Sequence, residues 1–339
     1  MVEEGICIYG RGVLLKHLQA LAQEIEGVQS GAADIEYIHR MRVASRRLRS
    51  AFRLFPRCLP PKKHKGWLKQ IKQVTRALGE SRDSDVQIEC LQAFANTLTV
   101  RRHRAGIDRL LMRLQQRRQR LQPELSRAMQ KLKESGLLNE MQNHLALPAT
   151  VPPEGSEMDP APVAPPPLHT PALYRHAFMA ISAGLEEFLS FDSIVPQPEK
   201  VEELHAMRIS AKHLRYTLEN LASLYPGGLK SYIQVVRKAQ EILGDVHDCD
   251  VWIAFLPRFM EEEKQRILEF YNHTRAYSRL VSGIQHFAED RAAMRLQQYE
   301  NFVARWQRWK EEGLWSQLKQ EIRAPFLPSN AGRLPESIS

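Results

Sequence analysis

Along most of the chain apolar residues recur every third or fourth position, and no stretch of any length alternates with the period of two that a strand requires. Residues 1 to 10 carry no assignable pattern. Val13, Leu14, Leu18, Leu21, Ala22 and Ile25 then predict an amphipathic helix that stops at Gly27. Asp34 is placed to cap a second helix, on which Ile38, Met41, Ser45, Leu48, Phe52 and Phe55 form one stripe and which ends before Pro56. Trp67, Leu68, Ile71, Val74 and Leu78 give a third, closed by Gly79. The turn GESRDSDV offers Ser81, Asp83 or Ser84 as caps for the next helix, with Asp85 in its first turn, where a carboxylate meets the positive end of the dipole. The RRHRAGIDRLL segment opens another long helix. Between Leu147 and Pro171 nine prolines interrupt the pattern, which reads as a flexible or polyproline-like linker. Beyond it, Tyr174 to Phe191 mirrors the first amphipathic helix, Glu261 to Glu321 mirrors the last ones, and the final residues read as a disordered tail.

The polar side of the second helix is unusual. His39, Arg42, Arg46, Arg49 and Arg53 fall on one face beside the apolar stripe, a ladder about 21 Å long at the rise of an α-helix. Lys65, Lys69, Lys72 and Arg76 form a second basic face. Between Tyr37 and Gly79 there are thirteen Lys or Arg and no acid. Like charges four residues apart destabilise a helix by a few tenths of a kcal/mol. The ladder therefore calls either for acids from other elements or for an anionic ligand. Farther on, Arg109, Arg113, Arg117 and Arg120 lie opposite Leu110, Leu114 and Leu121, some of them toward solvent.

The same polar residues return. With one single-residue gap, Glu36, His39, Met41, Arg42, Leu48 and Arg49 match Glu202, His205, Met207, Arg208, Leu214 and Arg215. Leu78, Gly79, Asp83, Asp85 and Val86 match Leu243, Gly244, Asp248, Asp250 and Val251, and KESGLL at Lys133 reappears as KEEGLW at Lys310. Packing alone does not require a His, two cations and two Asp at fixed places in both halves. The expected architecture is all-α: two four-helix bundles related by internal duplication and approximate two-fold symmetry, so that the basic helices face one shared groove or pore. The expected divisions are a first repeat at 1–147, a Pro-rich linker at 148–170, a second repeat at 171–323 and a tail at 324–339. In the second repeat Arg237 and Lys238 join His205, Arg208, Lys212 and Arg215 as candidate anion contacts.

Composition narrows the partner. A formal net charge of +9 and a pI near 9.4 point to something anionic, which leaves nucleic acid, an anionic membrane surface and polyanions. Cys7, Cys58, Cys90 and Cys249 are scattered without a C-x-x-C pair, and each reads as a small packed side chain rather than part of a disulfide or zinc site. The N-terminus lacks a signal-peptide pattern and no apolar run approaches about 18 residues, so the cytoplasm is the default location.

His-x-x-Arg-Val-x-x-Arg-Arg-Leu-Arg at His39 to Arg49, followed by Leu-Gly-x-x-Arg-Asp-x-Asp-Val at Leu78 to Val86, resembles the CHAD family, the conserved-histidine α-helical domains. The resemblance covers nearly the whole chain and recurs in the second repeat. It implies two four-helix bundles around a basic pore and an association with inorganic polyphosphate. That role is carried over onto His39, Arg42, Arg46 and Arg49 and, in the second repeat, His205, Arg208, Lys212 and Arg215. Lys212 stands for Arg46, His213 for Arg47 and His247 for Arg82, so the second half should grip less tightly. The implied partners are polyphosphate and its granules, in the cytoplasm, with no cofactor, no specific nucleic acid and no membrane.

Four alternatives are weighed against this. Glu36-x-x-His39 and Glu202-x-x-His205 have the spacing by which helical bundles hold two metals, but Arg42 and Arg208 sit one turn beyond each His and would repel them. A phosphoryl-accepting His would need far fewer aligned cations, and a core His could use Glu36 as its acceptor. Nucleic acid is the strongest alternative, yet no aromatic is interleaved along the ladder for bases to stack on. No nucleophile with an aligned base and no phosphate loop appears, so no catalysis is expected.

Overall fold

The computed structural model describes residues 2–30, 36–146, 169–225 and 227–326, all helix and connecting turn with no strand among them. In chain order the helices are α1 (Val2–Ala22), α2 (Ile25–Ser30), α3 (Glu36–Leu54), α4 (Pro61–Thr97), α5 (Arg101–Glu134) and α6 (Leu137–Leu145). The second half brings α7 (Pro171–Leu189), α8 (Val201–Leu221), α9 (Lys230–Tyr271), α10 (Arg275–Glu311) and α11 (Leu314–Arg323). Each half thus runs from a first helix to a basic helix, two long helices and a short one. Asp34, residues 148–168 of the expected linker and residues 327–339 of the expected tail lie outside the described residues.

Several boundaries differ from the sequence reading. Helix α1 begins at Val2, so residues 2 to 10 are its first turns. Gly27 does not stop a helix but sits within α2, where a Cβ would collide with the Tyr37 ring. Gly79 does not cap a helix either: α4 runs unbroken through GESRDSDV, and α9 runs likewise through Gly244. An internal glycine costs a helix about 1 kcal/mol against alanine. The apolar faces on either side of it, Trp67 to Leu78 before and Leu91 to Ala95 after, outweigh that cost. Ser84, expected as a cap, instead bonds back to the Glu80 carbonyl at 3.2 Å. The recurring KESGLL and KEEGLW have a plain explanation, since Gly136 and Gly313 each take a left-handed φ, 64° and 65°, at the break before α6 and α11.

The cysteine reading is corrected as well. Cys7 on α1 and Cys58, in the turn after α3, form a disulfide, while Cys90 and Cys249 are free. Spacing gave no sign of it, because the pair is brought together by the packing of α1 against α3.

Buried apolar residues gather in two clusters, and each draws on both halves. The larger holds α1, α3 and α6 with the first part of α4 and the last part of α5, together with α7, α8, the first part of α9, the last part of α10 and α11. The smaller is made by the other ends of the four long helices: Leu91 and Phe94, Ile107 to Leu114, Trp252 to Ile267, and Leu280 to Phe287. Between the clusters the long helices bury polar groups. Asp85 accepts from Arg118 Nε at 2.7 Å, and Asp250 accepts from Arg295 at the corresponding place.

Candidate functional site

Where α4 and α9 pass from one cluster to the other, a groove of about 570 Å³ opens between the halves. Helix α3 lines it with His39, Arg42, Arg46 and Arg49, and α4 with Thr75, Arg82, Asp83, Val86 and Gln87. Helix α8 adds Arg208, Ile209 and Lys212, and α9 adds His247, Asp248, Val251 and Trp252. Much of this lining falls into matching places of the two halves: Arg42 with Arg208, Arg46 with Lys212, Arg82 with His247, Asp83 with Asp248, Val86 with Val251, and Gln87 with Trp252. Six Arg or Lys side chains share the space with two carboxylates.

Like charge is concentrated enough to shift titration. Burial, reinforced by Arg46, Arg208, Arg42 and Arg49, pushes the Lys212 ammonium down to about 7. Arg46, Arg49 and Arg208 are lowered as well, chiefly by burial, though a guanidinium remains charged through the neutral range. Among the described residues the buried Nε groups of Arg42, Arg49 and Arg208 have no hydrogen-bond partner. A buried donor left unsatisfied costs about 1–3 kcal/mol, so the groove holds stabilisation in reserve for an acceptor. The carboxylates offset this only in part. Arg42 reaches Asp83 at 3.3 Å, but the Asp83 side chain is 70% exposed, and such pairs contribute little. Asp248 stays accessible within the groove, yet enclosure by the walls, opposed by Arg208, lifts its carboxyl to about 6. Burial, Arg208 and His205 push His247 down to about 4, and its Nδ1 lies 2.9 Å from Nδ1 of His205, so one neutral ring donates to the other.

The remaining candidates are placed elsewhere. Arg53 reaches across to His213 Nε2 at 3.4 Å, outside the groove lining. Lys65, Lys69, Lys72 and Arg76 are exposed along α4, with Arg76 paired to Glu80. Arg215 and Arg237 turn to Glu219, which also takes Arg47 at 2.9 Å, and Lys238 is exposed near Glu241. Arg113 belongs to the opposite side of α5, where it and Arg109 bond the fully buried Glu263, and Arg117 is exposed. His205 stands behind His247. The Glu-x-x-His pairs do not converge: among the described residues no group of three or more His, Cys, Asp or Glu is placed to hold a metal ion.

The polar and aromatic groove residues that the helix-stripe reading missed are Thr75, Arg82, Asp83, Gln87, His247, Asp248 and Trp252, beside the apolar Val86, Ile209 and Val251. Their signal was present in and just after the matched Leu-Gly-x-x-x-Asp-x-Asp-Val segments, whose Arg82, Asp83 and Val86 continue the helical period from Thr75 through what looked like a turn.

The fold has solved counterparts. The crystal structure of the CHAD domain from the plant Ricinus communis superposes with a TM-score of 0.58 at 20% identity, covering 87% of this chain and 91% of that one. PptA from Streptomyces chartreusis gives 0.51 at 16% identity, covering 87% and 99%. At these identities the likeness speaks for the fold alone. Among curated proteins none matches the sequence. The family model described as CHAD domain matches residues 12–257, most of the chain and every residue that lines the groove, and the chain therefore belongs to the CHAD domain family.

Proposed function

We propose that the groove binds inorganic polyphosphate by electrostatic capture, with no chemical conversion. The observation that carries this reading is six Arg or Lys side chains from both halves in one groove, three of them with an unpartnered Nε, against two carboxylates of which one is solvent-exposed and the other is lifted toward neutrality. Guanidinium forks give charge-assisted bonds to phosphate oxygens, and displaced counterions add to the affinity. Family membership carries the same expectation.

The groove suits phosphate without bases. Trp252 is its one aromatic lining residue, but it is 3% exposed and packed edge-on to Phe287 at 5.0 Å, which leaves no face for a base to stack on. The one hydroxyl of the lining, Thr75, donates to the Ile71 carbonyl at 2.7 Å and is not poised as a nucleophile. No helix among the described residues is long and apolar enough to cross a membrane. We place the protein in the cytoplasm, where polyphosphate granules would be its setting.

The test is competition. Long-chain polyphosphate should displace duplex DNA of equal charge, and affinity should fall steeply with salt. Replacing Arg42, Arg46 and Arg49 with Ala should flatten that dependence by about 0.7 in slope per lost contact while leaving helicity intact. Equal competition by DNA would favour a nucleic-acid protein instead.

A further inference from the structure

The two walls of the groove carry different chemistry at matching positions. The α3–α4 wall presents Arg42, Arg46, Arg49 and Arg82, guanidiniums that stay charged at any physiological pH. On the α8–α9 wall the corresponding residues are Arg208, Lys212, Arg215 and His247, and Arg215 is turned away to Glu219. One fixed cation, Arg208, remains there, beside an amine, an imidazole and Asp248.

We propose that the α8–α9 wall is a proton-operated extension of the groove that sets how long a stretch of phosphate chain is held: protonated, both walls grip; deprotonated, the α3–α4 wall grips alone. This rests on polyphosphate being the ligand and adds the regulation of that site. Lys212 is surrounded by Arg42, Arg46 and Arg49 from α3 and by Arg208 from its own helix, and among the described residues it makes no salt bridge to a carboxylate. Its ammonium at about 7 is therefore an unneutralised charge that only an added anion can stabilise. His247 faces Arg208 and His205 on α8, and its ring is tied to that of His205. One N–H bridges the two rings and persists when a proton adds to the free nitrogen of the donor ring, so a proton taken up there adds charge to this wall without breaking the pair. Asp248 is drawn down by Arg208 and Arg42 and pushed up by Asp245 and by Asp83 of α4, settling at about 6.

A phosphate chain along this wall favours the proton on all three groups, so binding takes up protons. Raising the pH through 6 and then 7 ionises Asp248 and discharges Lys212, which adds one negative charge and removes one positive charge on a wall whose remaining fixed cation is Arg208. The arginines opposite are unaffected. Their wall continues to hold the chain over a shorter footprint.

The experiment is a titration of long-chain polyphosphate, whose internal phosphates carry constant charge over this range, on the full chain at about pH 5.5 and about pH 8.5. We expect affinity to drop at least about tenfold between them, the scale of one charge-assisted hydrogen bond. Lys212→Arg, which restores the residue type at Arg46, should remove about half of that drop, leaving the part due to Asp248, whereas Arg82→Ala on the opposite wall should lower affinity at both pH values and keep the drop. Affinity against chain length should level off at shorter chains at the higher pH. A drop of the same size in Lys212→Arg, or levelling at the same length at both pH values, overturns the proposal. Absence of binding at either pH would instead overturn the polyphosphate reading itself.

Discussion

Gly106 on α5 and Gly283 on α10 each face the other helix's backbone: a Cβ on Gly106 would run into the Leu280 carbonyl oxygen, and one on Gly283 into that of His103. Both glycines are buried, at the same step of their respective halves, and the helices cross there with nothing between them. Because the obstacle is backbone, no side-chain rotation relieves it. Gly106→Ala and Gly283→Ala should each destabilise the protein by about 1–3 kcal/mol or more, as overpacked sites do. Measured by urea unfolding, the double variant should lose less than the sum, since the first methyl already parts the helices.

Two buried carboxylates respond to acid in opposite senses. Glu263 is fully buried, and although burial raises its pKa, the bonds from Arg113 and Arg266 more than offset this and hold it below the usual carboxylate range. A depressed pKa means that the charged form stabilises the fold above the unfolded value of about 4.5, and that this contribution is lost as pH falls through the folded value. Glu263→Gln should cost about 3–5 kcal/mol at neutral pH, by leaving three arginines without their anion. It should also remove part of the acid dependence of the melting temperature.

Asp85 behaves differently. Burial raises its pKa and the bond from Arg118 recovers only part of the shift, so the neutral form is the better tolerated one. Arg118→Met, which strands the charge, should therefore destabilise more than Asp85→Asn, which removes it. Equal losses in thermal unfolding would mean that the pair acts through packing alone. Neither variant should change polyphosphate affinity by more than about twofold, within a few tenths of a kcal/mol.

The Cys7–Cys58 bond closes a loop of 51 residues that contains the whole of α2 and α3. Opening it with reductant, or with Cys58→Ser, should lower stability by about 2–4 kcal/mol. A melting temperature unchanged by reductant would show that the thiols do not depend on each other.

Much of the helical frame was legible because apolar stripes are a local signal. Pro56 does end α3 at Leu54, and His39, Arg42, Arg46 and Arg49 could be placed on one face before any coordinates. The α4 and α9 contributions were obscured by residues that imitate a stop, since Gly79 followed by Ser and Asp looks like a cap wherever no tertiary partner holds the helix straight. Arg215, Arg237 and Arg113 resembled rungs of the ladder for a related reason. The acids that claim Arg237 and Arg113, Glu219 and Glu263, are 18 and 150 residues away along the chain, beyond any helical period. The disulfide was invisible on the same ground.

Neither cluster of buried residues can be completed by one half of this chain. Cut apart, each half would present Leu91, Phe94 and Ile107, or Trp252, Leu256 and Phe287, to water, a surface that only another hairpin of the same kind could cover. Two separate copies of one such half would build a groove with identical walls; within a single polypeptide Lys212 and His247 can differ from Arg46 and Arg82 at the matching places.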